Sequence, residues 1–304
     1  MSLMKLKMGT RGSALALAQA GWVAQELKKR HDGLGIETVV IKTSGDRFSA
    51  SPPREASLLA QTTKGLFVKE IEEALLDGSV DFAVHSSKDL PASLSAGLGI
   101  AAYPEREDPR DAFIGREGLS WSALSVGARI GTSSLRRKVQ LLSIKPGLDI
   151  VPMRGNVDTR LRKLREGECD ALVLAYAGLK RLGRSELKHE LIPAEVVVPC
   201  PGQGALAVEC RQDRRQVAEL LDALDCARTR LEVEFERSFL AAAGGGCSTP
   251  LGALAHAEAE GVALSVFWSD PEGRCPRRLL GRCPDPAERD AFTAELAARI
   301  KSGV

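Results

Sequence analysis

The chain has 304 residues, a formal net charge of +2 and 27% charged against 44% hydrophobic residues, the composition of a soluble globular protein long enough for roughly two domains. No apolar run approaches the ~20 residues of a membrane span, and a near-neutral chain with 4% aromatics lacks the basic stripe and stacking platform of a nucleic-acid binder. The N-terminus has no apolar core followed by a small-residue cleavage site, and the seven cysteines are scattered without a CxxC pair, so the reading is reduced thiols in a cytoplasm, with no disulfide framework and no metal site.

In chain order, "LKMGTRGS" reads as a strand leading into a helix from about Ser13 to Lys29, with Ser13 as N-cap. "IETVVIKTSGD" is a second strand. "KGLFVKEIEEALLDG" is a helix with Phe67, Ile71, Ala74 and Leu75 on one face, ended by Gly78. "DFAVHSSKDLP" is a strand running into a turn. After "YPEREDPRDAF" the pattern restarts: "ARIGTSSLRRKVQLL", "LDIVPMRGNVDTRLRKLREG" and "CDALVLAYAGLKRLG" each read as strand, turn and helix. Strands alternating with helices at these lengths predict two lobes with mostly parallel sheets, hinged near Tyr103 to Asp111. "VVVPCPGQGALAVECR" reads as a strand returning to the first lobe. From about Cys226 the chain changes character: a helix, "ARTRLEVEFERSFLAAAGG", then hairpin-like strands over "LGALAHAEAEGVALSVFWSDPEG" and a closing helix around Phe292 to Ile300.

The strand-to-helix turns carry Arg11, Lys88, Arg136, Arg137, Arg154, Arg160 and Arg181. In open α/β sheets ligands bind outside the carboxyl ends of the strands, so these cations are placed to converge on a polyanion; any one alone is equally a solvated helix face. "GTSSLRR" adds hydroxyls and helix N–H groups. Asp89 is the odd member, either a turn residue before Pro91 or an anionic group that stabilises a cation formed in a reaction. His85 reads as a packed histidine with its hydrogen bonds satisfied. In "AAAGGGCSTPLGA", Cys247 stands between three glycines and Ser-Thr-Pro, a bare backbone that presents a thiol or an ordinary loop holding a bystander. A two-lobed anion-binding protein would use the same arginines but has no use for Cys247, and "RRKVQ" and "RLRKLR" alone motivate a nucleic-acid reading.

Nine motifs in order, "GTRGSALALAQ", "KGLFVKEIE", "DFAVHSSKDLP", "EREDPRDAF", "GTSSLRR", "RGNVDTRLRKL", "LAYAGLKRLG", "PGQGALAVECR" and "GGGCSTPLGA", resemble the porphobilinogen deaminase (hydroxymethylbilane synthase) family from Leu6 to about Trp268. The resemblance implies an α/β fold with two periplasmic-binding-protein-like lobes of mixed, mostly parallel sheets, 1–104 with 205–222 and 110–198, plus a smaller C-terminal α+β domain, 227–304. It implies head-to-tail condensation of four porphobilinogen molecules with loss of ammonia, on a dipyrromethane cofactor held by a thioether to Cys247. By motif position Asp89 is the catalytic residue. Lys88, Ser133, Arg136, Arg137 and Arg154 carry over with Cys247 as cofactor-binding, and Arg11, Ser13, Lys64, Arg160, Arg181 and Gln203 as substrate-binding. A cytoplasmic monomer with no nucleic-acid or membrane partner is the family's expectation. One departure is Ala60, where some members carry a second lysine, so the 46–63 loop is less basic than the family's.

Overall fold

The computed structural model describes residues 5–44, 68–245 and 249–303. They form two compact units, Met1–Glu107 with Ala205–Leu231 and Asp108–Gly204 with Glu232–Val304.

The first unit is built on β1 (Lys5–Arg11), α1 (Ala14–Arg30), β2 (Gly35–Ile41), α2 (Lys69–Leu76), β3 (Phe82–Ser86), β4 (Leu98–Ala102), and, after a long excursion of the chain, β10 (Leu206–Arg211) and α6 (Arg215–Asp222). Ser13 starts α1 by accepting a 3.3 Å hydrogen bond from the Ala16 N–H, and Lys28, Lys29 and Arg30 face the negative end of the helix dipole in its last turn. The strand order is β2-β1-β3-β10-β4. Since β1 is parallel to β2 and β3 while β10 is antiparallel to both β3 and β4, four strands run one way and β10 alone runs against them. Met8, Phe82, Val84, Leu206 and Val208 pack on one face with Val23 and Leu27 of α1 and Val217 and Leu221 of α6. Ile71 and Leu75 of α2 pack on the other with Val80, Ala83 and Leu98. Each such side chain contributes about 1.5–3 kcal/mol on burial.

The second unit repeats the plan. Its strands are β5 (Asp111–Gly115), β6 (Arg129–Gly131), β7 (Asp149–Val151), β8 (Ala171–Ala175) and β9 (Glu190–Ile192), with α3 (Leu135–Ile144), α4 (Val157–Arg165) and α5 (Tyr176–Arg181) following β6, β7 and β8. The order β7-β6-β8-β5-β9 again has one reversed strand, β5, beside its neighbours β8 and β9. In both sheets the reversed strand is the first that the chain enters after leaving the other unit. Val157, Leu161 and Leu164 of α4 do share one packed face, as their spacing predicts.

The same unit holds the C-terminal module: most of α7 (Ala227–Ala242), the antiparallel sheet β11 (Leu251–Glu258), β12 (Gly261–Trp268) and β13 (Arg277–Cys283), and α8 (Arg289–Ser302). The sequence reading of this module stops at two strands; β13 is a third. Phe267 of β12 packs with Val139 and Val198, which ties the module to α3 and the segment before residue 204.

Candidate functional site

In the first unit, Arg11 ends β1 and Ser13 follows it, and Lys88 and Asp89 follow β3. These strands are parallel neighbours, so the two turns lie side by side at the carboxyl edge of the sheet, the place where open α/β sheets bind ligands. Ser87–Asp89 is a single 3-10 turn, started by the Ser87 N–H donating to the Ala205 carbonyl at 3.0 Å. Asp89 is half-buried, and its carboxylate carries no hydrogen bond or ion pair among the described residues. Behind it, His85 is buried as expected but not satisfied: its Nε2 lies 3.0 Å from Glu209 Oε2 without the alignment of a hydrogen bond.

In the second unit, β6, β7 and β8 are parallel, and the turns and helices beyond their carboxyl ends carry Ser133, Arg136 and Arg137, then Arg154 and Arg160, then Arg181. Ser134 caps α3 by accepting from the Arg137 N–H, and Asn156 caps α4 by accepting from the Thr159 N–H at 2.9 Å. Two consecutive arginines at the first turn of α3 are thereby turned inward. Both are about 5% exposed, and both meet a residue that the sequence reading missed, Asp111. Arg136 Nη2 donates to Asp111 Oδ2 at 2.9 Å and Arg137 Nη2 to Oδ1 at 2.7 Å. Their Nη1 atoms donate to the carbonyls of Val198 and Val173. Gln203 is part of this hub: its Nε2 donates to Asp111 Oδ1 at 2.8 Å and to the Pro109 carbonyl at 2.7 Å. Burial alone would raise the Asp111 carboxyl, but the charges and hydrogen bonds of the two arginines, with Gln203, hold it well below the usual carboxylate range.

One carboxylate does not balance the site. Arg160 donates through Nε to the Gly155 carbonyl at 2.8 Å, and burial, with the like charge of Arg137 added, pulls it down to about 10 from its ordinary 12.5. Arg136, Arg137 and Arg160 against Asp111 leave two uncompensated positive charges. Arg137 Nε is buried and has no hydrogen-bond partner among the described residues, a donor open to a further acceptor. Arg181 Nη2 donates to the Gly204 carbonyl at 2.6 Å, Ser133 Oγ to the Met153 carbonyl at 2.9 Å, and Arg154 is exposed. A polycarboxylate fits this donor set, since carboxylates accept from arginine in pairs and neutralise it in place.

Lys64 and Cys247 lie outside the described residues, but the chain on either side of Cys247 is described. Past the end of α7, Gly244 takes φ of 61° and the Gly245 N–H returns to the Leu240 carbonyl at 2.9 Å. After Pro250, Gly252 lies so close to the Val198 and Pro199 carbonyls that a Cβ would meet them at 2.7 and 3.0 Å, and the Ala253 N–H donates to Pro199 at 2.9 Å. Val198 is also the carbonyl that holds Arg136. Of the described thiols, Cys169, Cys210 and Cys283 are pushed up by burial, which suits packing rather than nucleophilic chemistry. Among the described residues no group of acidic, histidine and cysteine side chains could hold a metal ion, and no helix is long and apolar enough to cross a membrane.

Comparison with known proteins places this geometry. Residues 6–219 match the family model described as porphobilinogen deaminase, dipyromethane cofactor binding domain, and residues 230–301 its C-terminal domain. The chain is 51% identical to the porphobilinogen deaminase of Syntrophotalea carbinolica over 90% of this chain and 85% of that one. It is 48% identical to that of a Roseiflexus species over 92% and 91%, and 47% identical to that of Geobacter sulfurreducens over 90% and 84%. Among solved structures, the methionine binding protein MetQ aligns with a TM-score of 0.46 at 13% identity, covering 74% of this chain and 92% of that one.

Proposed function

The chain belongs to the porphobilinogen deaminase family, and from that membership together with the uncompensated charge around Arg137 we infer how its residues divide the work. The enzyme is a hydroxymethylbilane synthase of tetrapyrrole biosynthesis. It condenses four porphobilinogen molecules head to tail. In each round the aminomethyl C–N bond breaks and ammonia leaves; a C–C bond forms between the exocyclic methylene and the free α-carbon of the terminal pyrrole, and that attacking carbon gives up its proton. A final hydrolysis frees linear hydroxymethylbilane. The dipyrromethane cofactor, when bound, supplies the primer on which the chain is built.

Residue by residue, Arg136, Arg137, Arg154, Ser133 and Lys88 hold the carboxylates of that primer, with Cys247 as its thioether anchor. Arg11, Ser13, Lys64, Arg160 and Arg181 take those of the substrate and growing chain. The observation that carries this division is the buried Arg137 Nε with no partner beside an Arg160 whose charge is disfavoured by burial: both are relieved by an incoming carboxylate. Gln203, assigned to the substrate by motif, acts through Asp111, since both its amide hydrogens are spent inside the hub. Asp89, with no competing partner among the described residues, is available to pyrrole N–H groups and to the positive charge left on the substrate when ammonia departs. The division into 1–104 with 205–222, 110–198 and 227–304 is kept as part of this reading, on the strength of three separate sheets, as are a monomeric state, a cytoplasmic location and the absence of nucleic-acid or membrane partners.

Intact mass of the denatured protein, read beside Cys247→Ser, tests the reading together with an assay on porphobilinogen. A two-pyrrole adduct absent from the variant, with four ammonia released per hydroxymethylbilane, is the expected result. An adduct that survives the loss of Cys247 would place the anchor elsewhere, and no turnover by adduct-bearing protein would overturn the assignment.

A further inference from the structure

The reaction as described makes no use of His85 or Glu209, yet both are buried in the first unit. Glu209 is fully buried, and neither of its oxygens accepts a hydrogen bond among the described residues. A carboxyl group stripped of water without compensating hydrogen bonds is strongly penalised. Ser87 Oγ is buried and without a partner among the described residues as well. Nothing about packing demands a carboxyl group here: the neighbours of Glu209 on this sheet face include Ala83, Ala207 and Ile100.

The position of the pair supplies a reason for keeping it. On the antiparallel β3–β10 ladder His85 is opposite Ala207 and Ala83 is opposite Glu209, so His85 and Glu209 are diagonal neighbours on one face, with 3.0 Å between Nε2 and Oε2. One residue further the ladder ends at Ser86 and Leu206. Next, the Ser87 N–H takes the Ala205 carbonyl, and the chain turns to present Lys88 and Asp89. The contact therefore braces the last rung of rigid structure before Asp89.

We propose that His85 and Glu209 form a positioning pair that fixes the Ser87–Asp89 turn, and with it the carboxylate of Asp89; the proposal rests on the reading of Asp89 given above. Glu209→Gln keeps the shape of the side chain and removes its charge. In enzyme normalised to its two-pyrrole mass, kcat falls by about tenfold, equivalent to 1.4 kcal/mol in the barrier. KM for porphobilinogen and the thermal midpoint stay as they are, the pattern of an interaction felt in the transition state. Nitrogen NMR of histidine-labelled enzyme reads the pair directly: the His85 ring signal moves in Glu209→Gln and stays in Asp89→Asn. Should Glu209→Gln not fold, the double variant His85→Leu, Glu209→Met serves, because replacing a buried ionisable pair by apolar side chains is often neutral or stabilising. It is expected to be as stable as the wild type and slow. A variant of either kind that folds, carries the cofactor and turns over within about twofold of the wild-type kcat overturns the proposal. Undiminished turnover by Asp89→Asn would instead sink the reading of Asp89, whatever the pair does.

Discussion

Asp89 and Asp111 are the same residue in opposite circumstances. Asp89 sits half-buried at a turn with its oxygens uncommitted among the described residues; Asp111 is fully buried and accepts three short bonds from Arg136, Arg137 and Gln203. Asp111→Asn keeps the shape and removes the charge that two buried guanidiniums share. Breaking a buried ion pair from one side costs about 3–5 kcal/mol, which for a unit of this size lowers the thermal midpoint by on the order of 10 °C. Differential scanning of cofactor-loaded enzyme checks this, and a shift of a degree or two would mean that the arginines find other acceptors. Asp89→Asn, which breaks no such contact, leaves the midpoint where it is. The hub was not legible in the sequence. "EREDPRDAF" offers four acidic residues, and only the fold shows which one opens a buried strand. In hindsight the signal is an acid immediately before the apolar run "AFIG", where a charge is tolerated only with partners.

At the scale of elements, the alternation of strand and helix was legible because the helices present apolar faces and α1, α3 and α4 begin with Ser or Asn as a cap. β13 was not, since "RRLLGRC" alternates between a packed and an exposed side and its arginines read as surface. The glycines show a similar split between what sequence marks and what it explains. Gly244, Gly245 and Gly252 all border the Cys247 segment, but only the structure shows that Gly252 abuts backbone rather than space. In Gly252→Ala the new Cβ meets the Val198 and Pro199 carbonyls, which cannot swing away as a side chain would, so overpacking of about 1–3 kcal/mol is expected. The strain falls on the same Val198 carbonyl that holds Arg136, so cofactor attachment, read as the adduct-bearing fraction by mass, falls with stability. Gly21→Ala is the control. It lies within α1 with nothing inside 4 Å, and alanine there raises stability by about 0.5–1 kcal/mol. A Gly252→Ala protein as stable as Gly21→Ala would show that β11 is not pinned at this point.

For the molecule as a whole, the two units share a strand order but not their electrostatics. In the first unit the carboxyls drawn below their ordinary range, Glu26, Glu37, Asp77 and Asp213, lie at the surface, the last three exposed and Glu26 partly so, where water screens the pairs and little stability depends on them. In the second, Asp111 is lowered in a buried site. A carboxyl depressed on folding stabilises the fold above its unfolded value, near 3.9, and that stability drains away as pH falls toward the folded one, because the unfolded chain binds the proton first. Acid therefore acts on the second unit before the first. Hydrogen exchange followed by mass spectrometry from pH 6 down to about 3 should show peptides of β5 and α3 losing protection while those of β1 and α1 keep theirs. Asp111→Asn should remove most of the difference, since its protection no longer depends on an ionised carboxylate. Equal loss in both units of the wild-type protein would mean that the acid response is set elsewhere than in the arginine hub.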